Sequence, residues 1–260
     1  MQNWDLDKLV QITQGGDSYL DARNHILAPQ HYGGLGSFRW LVSGRSGRGK
    51  TLLVLNCILD GFIKFDHLYL FVRDTTQPKY QFLIKWLNTM ENEFEKEIGK
   101  KVKMYTVESD PSKIPDVDKL NNKIVNVAIF DDMLMEKHQE KIVNYFVRGR
   151  HKNVSCIYIT QSYHTTDIVI RKQCDYFAIF GVSSKTELEQ ISKSLSFMYD
   201  YKEFKEIFTK ATEGANDFLF VDMRTDLPIL RLRKGFDTYW DEERHEFLPL
   251  NSISPEFSLQ

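Results

Sequence analysis

The chain has 260 residues, 42% hydrophobic and 27% charged, which is ordinary for an α/β domain with a sizeable core. A net charge of −2 and a pI of about 6.4 give no global basic field, so contact with nucleic acid would have to rest on local clusters. The start, MQNWDLDKLV, lacks the basic and apolar regions of a signal peptide, and no run of about 18 apolar residues predicts a transmembrane helix. Cys57, Cys156 and Cys174 lie far apart with no CxxC or Cys/His spacing, which implies a reducing, intracellular setting rather than a metal site.

Residues 1–36 are polar and turn-rich, with Gly15-Gly16 and Gly33-Gly34, and are expected to form an irregular lead-in. From Ser37 short apolar runs alternate with helical stretches. The runs 38–43, 67–72, 124–130, 154–160 and 175–180 read as strands of a parallel sheet covered on both faces. Helices are predicted over 50–63, 78–98, 138–148, 184–195 and 201–213. In 78–98 the residues Phe82, Trp86, Met90, Phe94 and Ile98 recur at every fourth position as one apolar stripe. Ile142, Val143, Phe146 and Val147 do the same in 138–148. The stretch 108–122, with Pro111 and Pro115, reads as a surface loop, and 217–221 and 229–233 as late edge strands. The fold class is therefore α/β, a mostly parallel central sheet flanked by helices, with one main domain over 37–235 and an acidic tail over 236–260.

The strongest motif is Gly44-Arg45-Ser46-Gly47-Arg48-Gly49-Lys50-Thr51, which fits G-x-x-x-x-G-K-[ST] between a predicted strand and a predicted helix. Glycines let successive N–H groups turn inward around phosphates, and the helix N-terminus adds partial positive charge. Such a P-loop binds Mg²⁺–ATP, with Lys50 reaching the β- and γ-phosphates and the Thr51 hydroxyl coordinating Mg²⁺. The run Val127-Ala128-Ile129-Phe130-Asp131-Asp132 supplies the matching carboxylate: Asp131 for the metal through water, Asp132 as general base or else a turn cap. Gln161, after Thr160 at the end of the next strand, is placed to orient water and sense the γ-phosphate.

The set GRSGRGKT, AIFDD, VRGRHKNVSCIYITQSY and IRKQCDYFAIF resembles the poxvirus-type virion DNA-packaging ATPases. These belong to the FtsK–HerA branch of P-loop NTPases and also occur in giant viruses, virophages and Maverick/Polinton elements. The likeness runs from about Phe38 to Phe180 and more weakly to about Arg233. It implies an additional-strand core and a homo-oligomeric ring of five or six subunits. Such a ring threads double-stranded DNA without regard to sequence, packs it into capsids with capsid protein as a possible partner, and works where virions assemble in an infected cell. Gln161 matches the family's polar sensor. Arg148 or Arg150 matches the region where the family carries an arginine, as a finger on a neighbour's γ-phosphate or else as a salt bridge at a helix end. Asp132 stands where many relatives carry Glu, which weakens its assignment as base. Without a separate DNA-binding module, the candidate pore contacts are Lys100, Lys101, Lys103, Arg231, Arg233 and Lys234, unless these are solvated faces. Other jobs stay open: a helicase-like motor, a nucleotide-dependent switch or scaffold, and a small-molecule kinase.

Overall fold

A computed structural model describes residues 37–133, 139–182, 184–197 and 199–253, so the predicted lead-in lies outside the described residues. In chain order the elements are β1 (Arg39–Ser43), α1 (Lys50–Leu59), β2 (His67–Val72), α2 (Pro78–Ile98), β3 (Tyr105–Glu108) and β4 (Asn126–Asp131). Then come α3 (Gln139–Arg148), β5 (Val154–Thr160), α4 (Ile168–Gln173), β6 (Tyr176–Phe180), α5 (Lys185–Leu195) and α6 (Tyr201–Ala211). The last are β7 (Phe218–Asp222), β8 (Leu232–Lys234), β9 (Thr238–Asp241) and β10 (Glu246–Pro249). The sheet is mostly parallel, with strand order β3-β2-β4-β5 in one part of the chain and β1-β6-β7-β8 in the other. The described residues form two compact units, 37–39 with 51–159 and 40–50 with 160–253.

In the first unit β2 pairs in parallel with β3 and β4, and β4 with β5. Val127 to Phe130 are all buried, as in a strand covered on both faces. Phe71, Phe130 and Tyr145 form an aromatic cluster, with ring centroids 5.0 Å apart for the first two and 5.3 Å for the last two. Each such buried ring contributes roughly 1.5–3 kcal/mol of transfer free energy. Helix α2 opens with Pro78, whose missing N–H costs nothing at a first turn, and closes on Gly99 at φ 66°, which donates to the Glu95 carbonyl.

The buried face of α2 is Tyr80, Leu83 and Leu87, not the every-fourth stripe; Phe94 and Ile98 are 38% and 54% exposed. The reason is geometric. A step of four residues advances roughly 40° beyond a full turn, so the predicted stripe winds off the core face. In α3 the core residues are Ile142, Tyr145 and Phe146, while Val147 is exposed. The stretch 108–122 holds two 3₁₀ turns, Pro111–Lys113 and Val117–Lys119.

In the second unit β6 pairs in parallel with β1 and antiparallel with β7, and β7 pairs antiparallel with β8. Helix α6 starts in a reciprocal capping box, Asp200 to the Glu203 N–H and Glu203 back to the Asp200 N–H. Within the segment set apart as a tail, β9 and β10 form an antiparallel hairpin. Arg233 corrects the list of pore candidates: it is fully buried, pairs with Asp222 at 3.4 Å and donates to the Phe236 carbonyl. A guanidinium in that position cannot reach a DNA backbone. Lys234 pairs with Asp217 at 2.9 Å, and Arg231 lies over the Phe197 ring. Lys100, Lys101 and Lys103 are exposed.

Candidate functional site

In the second unit, β1 ends at Ser43 and α1 begins at Lys50, so the loop between them is the predicted phosphate cradle. Its three glycines all have positive φ, at 147° for Gly44, 77° for Gly47 and 89° for Gly49. Gly44 admits no side chain, because a Cβ there would stand 2.5 Å from the Phe180 Cβ. Its N–H donates to the Thr160 carbonyl at 3.3 Å, which places the residue before Gln161 against the start of the loop. Gln161 itself is exposed just past β5. Arg45, Ser46 and Gly47 are exposed as well, while Lys50 is buried and its ammonium donates to the Gly44 and Arg45 carbonyls, the latter at 2.8 Å. The first turn of α1 carries no acidic residue, so nothing there opposes an incoming anion.

Arg48 points elsewhere. Its guanidinium donates to the Gly214 and Ala215 carbonyls at 3.3 and 3.2 Å, and Gly49 faces Asn216. Gly214 is held in turn by Asp217, which accepts its N–H at 3.1 Å and pairs with Lys234. The turn Gly214–Asp217 is thus a brace for the loop that the motif did not announce. Its Gly-Ala-Asn-Asp composition was the available signal.

In the first unit, Thr51 donates from Oγ1 to Asp131 Oδ2 at 3.0 Å. Two residues of α2, absent from the sequence reading, complete the cluster. The Tyr80 hydroxyl donates to the same Asp131 oxygen, and the Lys79 ammonium donates to Thr51 Oγ1 at 2.9 Å. Burial pushes the Asp131 carboxyl above the usual carboxylate range, although the Tyr80 hydrogen bond, the Lys79 charge and Thr51 pull the other way. Burial, and then Asp131 itself, push the Tyr80 hydroxyl far up, so it stays a donor. Asp132 follows at φ 57°, exposed, with its N–H donating to the Ile159 carbonyl at 3.2 Å. Aspartate tolerates this left-handed turn conformation better than most residues.

The two arginines lie on the connection from α3 to β5. Arg148, at the end of α3, pairs with Asp118 at 2.7 Å, both side chains being more than half exposed. Arg150 is exposed in the 3₁₀ turn Gly149–Lys152 that follows. No helix among the described residues is long and apolar enough to cross a membrane, and no group of three or more His, Cys, Asp or Glu among them could hold a metal on its own.

Known proteins resemble this chain in sequence and in fold. DNA packaging protein OPG160 of Variola virus is 27% identical over 148 residues, 56% of this chain and 54% of that protein. Its namesake in Vaccinia virus (strain Copenhagen) gives the same identity and coverage, so the chain spans about half the length of the curated relatives it matches. Among solved structures, the genome packaging NTPase B204 from Sulfolobus turreted icosahedral virus 2, in complex with AMP, superposes with a TM-score of 0.52. It is 18% identical and covers 76% of this chain and 96% of that one, a likeness of fold. The family described as Poxvirus A32 protein matches residues 35–221, well over half of the sequence, and the chain belongs to that family.

Proposed function

We propose that this protein is an ATPase that drives double-stranded DNA into viral or viral-like capsids. The observation that carries the reading is the backbone-built loop Gly44–Lys50, with its three positive-φ glycines and buried lysine, in a chain of the A32 family. The relatives' name, DNA packaging protein, turns a generic nucleotide site toward DNA. The ATPase domain is taken as residues 37–235, after a lead-in over 1–36 and before a tail over 236–260.

Each residue then has a role. The N–H groups of Gly44 to Gly49 cradle phosphates, with Arg45, Ser46 and Arg48 contributing through their backbone, and the Lys50 ammonium binds the β- and γ-phosphates. Mg²⁺ suits the pair Thr51 and Asp131, whose two hard oxygens lie 3.0 Å apart. Thr51 would hold the ion directly and Asp131 through water, and a bound ion supplies charge neutralisation on the phosphate oxygens. Asp132 takes the proton of the attacking water, and Gln161 orients that water. Arg150 or Arg148 extends to a neighbour's γ-phosphate in a ring of five or six subunits. Lys100, Lys101, Lys103, Arg231 and Lys234 remain candidates for sequence-independent phosphate contacts on DNA. Capsid protein is a further partner, and the virion assembly site of an infected cell the place of action.

The test is ATP hydrolysis by purified protein with and without linear double-stranded DNA, across a range of protein concentrations. Turnover that rises with DNA and steeply with protein concentration supports a ring motor with sites completed between subunits. Turnover indifferent to both points to a switch, a scaffold or a kinase. Unwinding of a forked duplex would make it a helicase-like relative instead.

A further inference from the structure

The cluster around Asp131 contains more than its motif requires. Lys79 stands in the first turn of α2, a helix with no acidic residue there to offset a cation facing the positive end of the helix dipole. Position alone is therefore unfavourable to that ammonium. What holds it is Thr51 Oγ1 at 2.9 Å, beside the Asp131 charge. The turn that leads into the helix fixes its approach: Asp74 accepts from the Thr76 N–H and hydroxyl, and the Gln81 amide donates to the Thr75 carbonyl at 2.7 Å. Tyr80, 1% exposed, places its hydroxyl on Asp131, and Lys79 lies 5.1 Å from its ring. A buried tyrosine hydroxyl needs such a partner, and here the partner is the metal-side carboxylate.

From this geometry we infer that Lys79 and Tyr80 form a two-part latch on the metal-side pair: Lys79 is a removable stand-in for the cation, and Tyr80 is a positioning residue for Asp131. The inference rests on the reading of Thr51 and Asp131 as the Mg²⁺ pair. Thr51 Oγ1 gives its hydrogen to Asp131 and one of its two lone pairs to Lys79, so a cation ligated through the other lone pair would stand next to the ammonium. Two positive charges within a few ångströms also repel. Tyr80 imposes no such conflict, because its bond to the carboxylate survives metal binding and fixes the carboxylate's orientation. The N-terminal end of α2 is thereby coupled to whether the nucleotide site carries its metal.

The test is Mn²⁺ binding, followed by electron paramagnetic resonance in the presence of a non-hydrolysable ATP analogue, for wild type, Lys79→Met and Tyr80→Phe. Lys79→Met keeps the length and packing of the side chain and removes the charge. A divalent ion relieved of one neighbouring positive charge should bind about tenfold tighter. Tyr80→Phe, which loses an outer hydrogen bond to the ligating carboxylate, should bind Mn²⁺ about tenfold or more weakly. Lys79→Arg should behave as wild type. If Lys79→Met does not fold, Lys79→Gln gives the same reading. Wild-type binding with Lys79→Met unchanged or weaker overturns the latch while leaving the site intact, since Lys79 would then be a phosphate ligand or a packing residue. A wild type that takes up the analogue but no Mn²⁺ at all overturns the metal-pair reading, and the latch with it.

Discussion

The phosphate loop and the Asp131 cluster are built by opposite means. The loop is made of backbone: three glycines in conformations other residues resist, a carbonyl contact to Thr160, and a lysine whose ammonium lies on the loop's own carbonyls. The cluster is made of side chains from three elements, Thr51 on α1, Lys79 and Tyr80 on α2, and Asp131 at the end of β4. A site made of backbone tolerates change at exposed side chains and fails when chain geometry is altered. One made of side chains fails group by group. Substitutions can be chosen to separate the two.

The largest effect expected is at Lys50, the one side chain on which the loop's chemistry depends. Lys50→Ala should lower ATP turnover by about 10²–10³-fold or more, the scale for removing a donor aimed at developing charge, with a melting curve close to wild type. Full turnover in that variant would falsify the assignment of the loop. Next is Gly44→Ala, which tests the backbone itself. A Cβ 2.5 Å from that of Phe180, at φ 147°, should cost about 3 kcal/mol or more in a urea melt. Gly47→Ala is its control: φ is again positive, at 77°, but nothing lies within 4 Å, so only about 1–2 kcal/mol of backbone strain is expected. Equal losses at the two glycines would mean that steric closeness to Phe180 is not what demands Gly44.

This contrast also explains what could be read in advance. The loop was legible because a backbone cradle needs glycines at fixed spacing, and spacing is written in the sequence. Strands β2, β4 and β5 were legible as near-continuous apolar runs, and α2 as an apolar stripe over 78–98, although Tyr80, Leu83 and Leu87 form its buried face. Strand β3 was missed because Tyr105–Glu108 is half-buried and follows a lysine-rich stretch, which leaves no apolar run to notice. Lys79 and Tyr80 were missed for a different reason: a tyrosine and a lysine near the start of a helix are ordinary until tertiary packing brings them to a carboxylate 51 residues from Tyr80. Arg233 was misjudged because a run of Arg231, Arg233 and Lys234 looks like a solvated charge cluster. The partner that buries it, Asp222, sits on β7 and is revealed only by strand pairing.

On the side-chain site a smaller effect is expected from Thr51→Val, which is nearly isosteric and deletes the hydroxyl. Asp131 loses one of its donors and Lys79 an acceptor, so stability should fall by about 1–2 kcal/mol. The Mg²⁺ requirement for turnover should rise sharply. Thr51→Ser should recover both. A stability loss without a changed metal requirement would leave Thr51 a packing and capping residue and confine the chemistry to the loop.

The smallest expected effect on stability is at Arg148. Its pair with Asp118 is short, at 2.7 Å, but both side chains are more than half exposed, so solvent screens the attraction and ordering two long side chains offsets it. Arg148→Ala should change the urea midpoint by no more than about 0.5 kcal/mol of unfolding free energy. That near-neutrality makes the variant informative about the proposed finger, because lost turnover could not then be ascribed to lost structure. If Arg148 extends to a neighbour, Arg148→Ala should reduce turnover at high protein concentration, where subunits meet, and mixing in a Lys50→Ala subunit that retains Arg148 should restore part of it. If Arg150 is the finger, Arg148→Ala should hydrolyse as wild type, and the same mixing experiment should respond to Arg150→Ala instead. Equal indifference at both arginines would remove the connection from α3 to β5 from the nucleotide chemistry and leave the Asp118 pair as the whole of Arg148's role.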